Sequence, residues 1–284
     1  MHRFLFIICM SIGLLTTSVA RAQADAPTEG ATAQNRYELC LRYFKRGYYT
    51  KALETCNRVR NFHRDDPVSV LAELAIADIY CKRGDFEQCR LTLQDFVRLH
   101  PRHARVDYAV WKIGWCWYKV SPKWAGRDQT TTQQAVNNWT SYNQRFPQSN
   151  HLVEVSDLLG KARDRLAAKE ISIARFYRRR GAWKATRNRT QGMLERYGDT
   201  SYAAEGMALL GESHHAWGNV QTAQQVRERL AEKHPESTWL KRLDRTLAGE
   251  PGEAVEEKTF LRPYKIPAIG GAAAQAQPGA GGPQ

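Results

Sequence analysis

The chain has 284 residues, of which 42% are apolar or aromatic and 25% are charged, and its formal net charge is +13. This length and apolar content are enough to bury a hydrophobic core, which excludes a wholly disordered protein. The positive charge predicts acidic partners or an anionic membrane surface.

The first 22 residues have the pattern of a secretory signal peptide. Arg3 precedes an apolar run over residues 4–15, and small residues at cleavage-site spacing end at Ala22. We therefore expect residues 1–22 to be removed on export, so that the mature chain begins near Gln23. No later apolar run is long enough to cross a bilayer, so a membrane would be reached through a partner, surface charge or lipid.

Cys9 is an unfavourable site for a lipid anchor, because bulky side chains occupy positions 6–8 and the apolar run continues past the cysteine. We therefore expect no acyl chain on the mature protein. Removal of Arg3 and Arg21 leaves 40 basic and 29 acidic side chains, a formal charge of +11. For an exported protein this charge favours acidic partner domains or an anionic membrane surface and argues against nucleic acid.

Residues 23–34 are rich in Ala, Gln, Thr and Gly and predict a flexible leader. After them, a motif that spans six residues recurs along the chain. The motif is a glycine, any residue, a bulky residue and, three positions later, a small residue. It starts at Gly47, Gly84, Gly181 and Gly218, and both the first two and the last two glycines lie 37 residues apart. The glycine predicts the end of a first helix, the bulky residue packs under the turn, and the small residue lets a second helix pack closely.

A longer third unit completes a set of five helix pairs. An interval of twelve residues separates a small residue from a proline in three of the units. It runs from Cys89 to Pro101, from Ala135 to Pro147 and from Ala223 to Pro235. The five small positions are Ala52, Cys89, Ala135, Thr186 and Ala223. This spacing resembles the tetratricopeptide repeat and predicts an all-α solenoid of about five helix pairs, with an irregular helical bundle as the alternative. No segment predicts a strand, and Asp66 before Pro67 predicts a helix start.

One long central helix is predicted from Asn150 to Trp183, a stretch without proline. Apolar residues recur there at steps of three and four, at Leu152, Val155, Leu159, Ala162, Leu166, Ile173 and Tyr177. Glu170 interrupts this stripe. Its carboxylate either has a cationic or hydrogen-bonding partner or reaches solvent at the edge of the stripe, and we favour the second interpretation.

The mature chain has five cysteines, at Cys40, Cys56, Cys81, Cys89 and Cys116. The odd number and the helical context argue against a disulfide framework. Cys40 and Cys56 lie at inward positions of one helix pair, but antiparallel helix axes lie about 8 to 10 Å apart, whereas a disulfide needs Cα atoms within about 7 Å. We therefore expect five free, buried thiols.

Several segments resemble the BamD family of outer-membrane assembly lipoproteins. They are Arg127-Asp128-Gln129-Thr130, Arg145-Phe146-Pro147-Gln148-Ser149, Arg165-Leu166-Ala167-Ala168-Lys169-Glu170, Arg180-Gly181-Ala182-Trp183, Asn188-Arg189 and Gly192-Met193-Leu194. The resemblance runs from about Tyr37 to Pro235. Three departures are the missing lipobox, Gly198 in place of a proline that is usual in the family, and a long C-terminal tail.

The resemblance implies a periplasmic scaffold at the inner face of the outer membrane. Its N-terminal half is expected to bind unfolded outer-membrane protein segments. Its C-terminal half is expected to bind a BamA-like barrel insertase through an arginine that corresponds to Arg189.

The expected organisation follows from these segments. It consists of a signal peptide (1–22), a flexible leader (23–34), an N-terminal repeat half (35–148), a C-terminal repeat half with the long linking helix (149–250) and a low-complexity tail (251–284). Residues 268–284 contain only Ala, Gly, Pro, Gln and Ile, which predicts disorder.

No sequence motif predicts catalysis. The chain has no glycine-rich phosphate loop, no His-Glu-x-x-His pair and no nucleophile elbow. His214 and His215 are adjacent, so on a helix their side chains point about 100° apart and do not readily share one metal ion. We therefore expect no enzyme activity, cofactor, metal ion or small-molecule substrate.

Binding residues are predicted on the first helices of the pairs. One repeat position carries a cation each time, at Lys45, Lys82, Lys119 and Arg179. These side chains either hold the carboxylates of an extended peptide or are solvated helix ends, where the helix dipole favours cations. On the same side lie four aromatic residues, at Tyr37, Trp111, Trp115 and Tyr118. Trp111 belongs either to the core or to this surface, whereas Trp115 and Tyr118 are the better candidates for a groove that takes aromatic or apolar guest side chains.

Two functions remain open at this point, because fold does not separate them. The first is the outer-membrane assembly scaffold, favoured by Arg189 and the segment 165–183. The second is a repeat adaptor of another envelope complex, in secretion, motility or cell-wall coordination, favoured by the missing lipobox and the tail 251–284.

Overall fold

The computed structural model describes residues 32–249, which fold into helices joined by turns and loops and contain no strand. The helices are α1 (Ala33–Lys45), α2 (Tyr49–Phe62), α3 (Pro67–Arg83), α4 (Phe86–Leu99), α5 (Val106–Val120), α6 (Thr130–Trp139), α7 (Tyr142–Arg145), α8 (Leu152–Arg179), α9 (Trp183–Tyr197), α10 (Ala203–Ala216), α11 (Val220–Lys233) and α12 (Thr238–Leu247). The predicted all-α fold of tetratricopeptide-type helix pairs is confirmed. The predicted signal peptide, most of the leader and the tail lie outside the described residues. Among the described helices, none has the length and apolar character needed to cross a membrane.

The predicted glycines end the first helices of their pairs in the left-handed conformation. Their φ angles are 78° at Gly47, 86° at Gly84, 69° at Gly181 and 75° at Gly218. At each turn the residue after the glycine donates its N–H to a carbonyl five residues earlier, as from Asp85 to Tyr80 at 3.0 Å. Because L side chains are strained at such φ angles, glycine is the residue that permits this turn.

The five predicted small residues are fully buried at the contacts within their pairs: Ala52, Cys89, Ala135, Thr186 and Ala223. Three of the four bulky residues after the glycines are half-buried, whereas Val220 is 48% exposed. The predicted start of α3 is confirmed, because Asp66 accepts a hydrogen bond from the N–H of Val68 at 2.9 Å. The first helix begins at Ala33, two residues before the expected start of the repeat half at residue 35, with Thr32 as its N-cap.

The described chain divides into two compact units. The N-terminal unit contains residues 32–172 and 193–203, and the C-terminal unit contains residues 173–192 and 204–249. This division falls inside α8 and α9, whereas the sequence placed a boundary between residues 148 and 149. The reason is that α8 is one continuous helix of 28 residues, which contributes its first part to one unit and its last turns to the other.

The core of the N-terminal unit consists of two buried clusters. One joins α1, α2 and α3 around Cys56 and Ile76, and the other joins α3 to α6 with the start of α8 around Phe96 and Trp139. Trp139 donates its indole N–H to the carbonyl of Trp111 at 3.1 Å. Its ring lies against Gly114, where an added Cβ would be 2.3 Å from the indole nitrogen.

The prediction of five free thiols is wrong. Disulfides join Cys40 to Cys56 and Cys81 to Cys89, with Cα–Cα distances of 5.5 and 5.3 Å, and among the described cysteines Cys116 keeps its thiol. The error lay in comparing the distance between helix axes with a distance between Cα atoms. Each Cα lies about 2.3 Å off its axis, so facing Cα atoms of helices about 8 to 10 Å apart are separated by only about 3.4 to 5.4 Å.

Glu170 is the second correction, because its side chain is only 14% exposed and lies 3.5 Å from the guanidinium of Arg196. The partnered interpretation therefore holds rather than the solvated one. Of the predicted apolar stripe of α8, Val155, Ala162 and Leu166 are buried, whereas Leu152, Leu159, Ile173 and Tyr177 are only partly buried. Beyond Glu170 the buried positions are Ile171 and Ala174 instead.

Replacement of Gly114 by alanine is expected to destabilise the protein by about 1 to 3 kcal/mol, because the new methyl group overlaps Trp139 in a packed core. Gly160→Ala is the control, since Gly160 lies in α8 with no atom within 4 Å of its added Cβ. That change should stabilise by up to about 1 kcal/mol through helix propensity. Urea unfolding followed by circular dichroism measures both, and a Gly114→Ala variant as stable as the wild type would contradict the packing described here.

Candidate functional site

The predicted aromatic residues lie on α1 and α5 of the N-terminal unit. Tyr37, Trp111, Trp115 and Tyr118 are all half-buried. They are therefore accessible in part, and their remaining surface packs against residues of the same unit. These contacts differ from one residue to the next and determine which side chains can still meet a guest.

Trp111 forms the centre of an aromatic cluster. Its indole stacks on the imidazole of His151, with ring centroids 4.4 Å apart and 4° between the ring planes. Tyr108 lies beside both rings, at 5.5 Å from Trp111 and 5.7 Å from His151. The indole N–H of Trp111 is buried, and no acceptor for it exists among the described residues. A buried donor without an acceptor is uncommon, so this cluster offers an unmet hydrogen bond.

A charged network joins this cluster to α3. Asp78 accepts hydrogen bonds from the Tyr108 hydroxyl at 2.5 Å and from the Lys112 ammonium at 2.6 Å. The side chains of Lys112 and Asp78 are 15% and 28% exposed, so the pair is partly desolvated. Burial raises the pKa of Tyr108, and the neighbouring Asp78 raises it further, which keeps the phenol protonated as a donor.

Tyr37 on α1 lies in the same electrostatic environment. Burial raises its pKa, while Arg105 lowers it and Asp78 raises it. Tyr108 and Asp78 thus connect α5 to α3, and Tyr37 of α1 lies near enough for Asp78 to influence its pKa. Sequence reasoning missed Asp78, Tyr108 and His151. The spacing of four between Tyr108 and Lys112 was the one available signal, and nothing in the sequence placed His151 against Trp111.

Trp115 and Lys119 form a cation–π pair. The Lys119 ammonium lies 5.0 Å from the centre of the Trp115 ring, and the edge of that ring packs on Phe86 at 5.6 Å. Both predicted residues therefore share one surface, where an aromatic face and a positive charge are adjacent.

Tyr118 has a different environment, because Arg165 of α8 covers one face of its ring at 4.1 Å. The same guanidinium donates to the Tyr118 hydroxyl and to the Ser121 hydroxyl, each at 2.7 Å. Tyr118 therefore ties α5 to α8, and less of its ring is available to a guest.

The four predicted cations are all exposed, at Lys45, Lys82, Lys119 and Arg179. Each lies in the last turn of its helix, where the helix dipole stabilises a positive charge. The first three belong to the N-terminal unit and Arg179 to the C-terminal unit.

Arg189 is exposed on α9, whereas Thr186, Thr190 and Met193 of the same helix are fully buried. This is the orientation that the sequence predicted. The hydroxyls of Thr186 and Thr190 donate to backbone carbonyls one turn earlier, at 3.0 and 2.9 Å, which satisfies these buried polar groups within the helix.

The C-terminal unit is held by two buried carboxylates on α10. Glu205 accepts two hydrogen bonds from Arg175 of α8, at 2.5 and 2.6 Å. Glu212 pairs with Arg178 of α8 and, at 2.8 Å, with Arg242 of α12. Each carboxylate is almost completely buried but neutralised, so the network fixes three helices of this unit.

Two segments that carry the family resemblance have structural roles. In the loop between α5 and α6, the buried side-chain amide of Gln129 donates to the carbonyls of Pro122 and Trp124, at 3.3 and 3.0 Å. In the other segment, Ser149 donates to the Asp107 carboxylate at 2.7 Å. These residues hold loops in place and do not form a binding surface.

Comparison with known proteins gives one consistent family. The family described as "YfiO: Outer membrane lipoprotein" matches residues 29–241. Similar proteins are named outer membrane protein assembly factor BamD. That of Neisseria meningitidis (strain Z2491) is 26% identical over 247 residues, covering 80% of this chain and 92% of the relative. That of Xylella fastidiosa (strain 9a5c) is 24% identical over 246 residues, covering 84% of each chain.

Asp78→Asn tests the charged network. We expect a loss of about 1 to 3 kcal/mol in the free energy of unfolding, because Lys112 keeps its charge in a partly buried position without its counterion. Asp157→Asn is the matched control, since it breaks an exposed pair with Lys161 whose side chains are 55% and 59% exposed. That change should cost under about 0.5 kcal/mol. Equal losses in urea titrations would mean that the Asp78 network does not stabilise the unit.

Proposed function

Because the chain belongs to the YfiO family of outer membrane lipoproteins, we propose that it is a non-catalytic assembly factor for outer-membrane proteins. The observation that carries this proposal is the extent of the family match, residues 29–241, which includes residues of both compact units. The relatives of this chain bear the name of such a factor and are matched over most of their length. The protein acts as a scaffold in the periplasm, at the inner face of the outer membrane.

The N-terminal unit binds unfolded segments of outer-membrane proteins along α1, α3 and α5. The support is the half-buried aromatic cluster around Trp111, part of whose surface is accessible. An extended peptide can lay apolar side chains against that surface. Aromatic guest side chains can pack beside Trp115, while Lys119 attracts a carboxylate.

The cations at Lys45 and Lys82 extend this surface with positive charge. They steer acidic or C-terminal carboxylates of the guest towards the aromatic residues. Because these lysines are exposed, they affect the rate and strength of binding more than the stability of the fold.

The C-terminal unit binds a BamA-like barrel insertase through Arg189. The side chain is exposed on α9, whose inner face is buried at Thr186 and Thr190. A guanidinium in this position can form a bidentate hydrogen bond with a partner carboxylate. This contact, together with the positive charge of the chain, keeps the protein at the membrane without requiring an acyl chain.

A repeat adaptor of another envelope complex is the second candidate. Two features of the sequence favour this candidate. They are the tail at 251–284, which departs from the family pattern, and the bulky residues before Cys9. In that case Arg189 has no role in binding an insertase. The two candidates therefore differ in whether replacement of Arg189 releases the insertase.

Arg189→Glu is expected to abolish co-purification of the barrel insertase from detergent-solubilised envelopes. Loss of one partner of a desolvated charge pair costs about 2 to 5 kcal/mol of binding, which is at least about thirtyfold in Kd. The melting temperature should change little, because any contact that an exposed arginine makes within the protein is solvated and contributes under about 1 kcal/mol.

Arg229→Glu is the matched control, an exposed arginine on the second helix of the next pair. It should leave co-purification intact. If Arg189→Glu unfolds the protein, Arg189 is structural. If the variant folds and still retains the insertase, the proposed contact is wrong and the adaptor function is favoured.

A further inference from the structure

Three buried sulfur atoms meet in the core of the N-terminal unit. Cys81 of α3 is bonded to Cys89 of α4, and the free thiol of Cys116 on α5 lies 3.4 Å from the sulfur of Cys81. All three sulfurs lie within 4.8 Å of one another. A free thiol in van der Waals contact with a disulfide sulfur is the arrangement from which thiol–disulfide exchange proceeds.

We propose that these three residues form an internal thiol–disulfide exchange site, in which Cys81 pairs with either Cys89 or Cys116. The Cys116 thiolate attacks the sulfur of Cys81, and a new bond forms between them. The bond between Cys81 and Cys89 breaks, its electron pair goes to the sulfur of Cys89, and that thiolate takes up the proton that Cys116 released. One disulfide and one thiol are present before and after, so no oxidant or reductant is needed.

The exchange changes which helices are covalently joined. The bond between Cys81 and Cys89 closes the turn at Gly84, between the two helices of one pair. A bond between Cys81 and Cys116 would instead join α3 to α5, the first helices of consecutive pairs. Cys81 lies one turn after Asp78, and Cys116 lies one turn after Lys112, so the new bond would lie beside the ion pair that already connects these helices.

The surroundings of Cys116 set the rate of exchange. Burial raises the pKa of its thiol to about 12, while Lys112 of α5 and Arg90 of α4 lower it and Asp78 of α3 raises it. The thiol is therefore protonated at neutral pH. Because the thiolate is the attacking species, the rate should rise about tenfold per pH unit, or about 100-fold from pH 7 to pH 9.

Trapping of the free thiol after incubation of the folded, full-length protein tests the exchange. The protein is incubated at pH 7 or at pH 9 without any thiol reagent, quenched in acid, unfolded and then alkylated with N-ethylmaleimide, because all three cysteines are buried in the folded chain. Disulfide-linked peptides are mapped by mass spectrometry under non-reducing conditions. We expect a fraction of chains with an alkylated Cys89 and a bond between Cys81 and Cys116, and this fraction should approach its final value about 100-fold faster at pH 9 than at pH 7.

Two variants make the result decisive. Cys116→Ala removes the attacking thiol and should eliminate alkylation of Cys89. Cys89→Ala leaves Cys81 and Cys116 as two thiols, and oxidised glutathione should join them. The proposal is overturned if Cys116 alone is alkylated in the native chain, or if Cys89→Ala keeps its circular dichroism spectrum but forms no bond between Cys81 and Cys116.

Discussion

The close approach of two helices at one small residue is the constraint on which the rest of the fold depends. Ala52, Cys89, Ala135, Thr186 and Ala223 are completely buried, each at the contact within its helix pair. A larger side chain at such a contact would separate the helices and open the core. The same approach brings Cys40 and Cys56 close enough to form a disulfide, so the crossing that permits packing also permits the covalent bond.

Charge in the interior is the second organising feature, because the buried carboxylates of Glu205 and Glu212 and the partly buried carboxylate of Asp78 are each paired. Glu205 and Glu212 are neutralised by arginines from neighbouring helices of their unit, and Asp78 by Lys112. These pairs connect helices that are distant in sequence and hold them in one arrangement. In the N-terminal unit, the pair at Asp78 also positions Tyr108 beside Trp111, which gives the proposed peptide surface a rigid base.

The sequence predicts features that one local segment determines, and it fails where two distant segments must meet. The glycine at each turn, the small residue after it and the cap at Asp66 are local, and each was predicted correctly. The disulfides were missed because helix separation was estimated from axes. The stack of His151 on Trp111 was missed because it joins the turn before α8 to α5 and leaves no periodic pattern. The burial of Glu170 depends in the same way on Arg196, far along the chain.

We propose that the side of the N-terminal unit formed by α1, α3 and α5 binds extended segments of outer-membrane proteins. The direct measurement is the Kd of a fluorescent peptide with the sequence of a C-terminal β-strand of an outer-membrane protein. One variant reverses three exposed lysines of this unit, namely Lys45, Lys82 and Lys119. Its control reverses three exposed cations of the C-terminal unit, namely Arg229, Lys233 and Lys241. If this side of the unit binds the peptide, the first variant weakens binding about tenfold or more and the control changes the Kd less than about twofold. Equal effects of the two variants, or an unchanged Kd in the first, would contradict peptide binding at this surface.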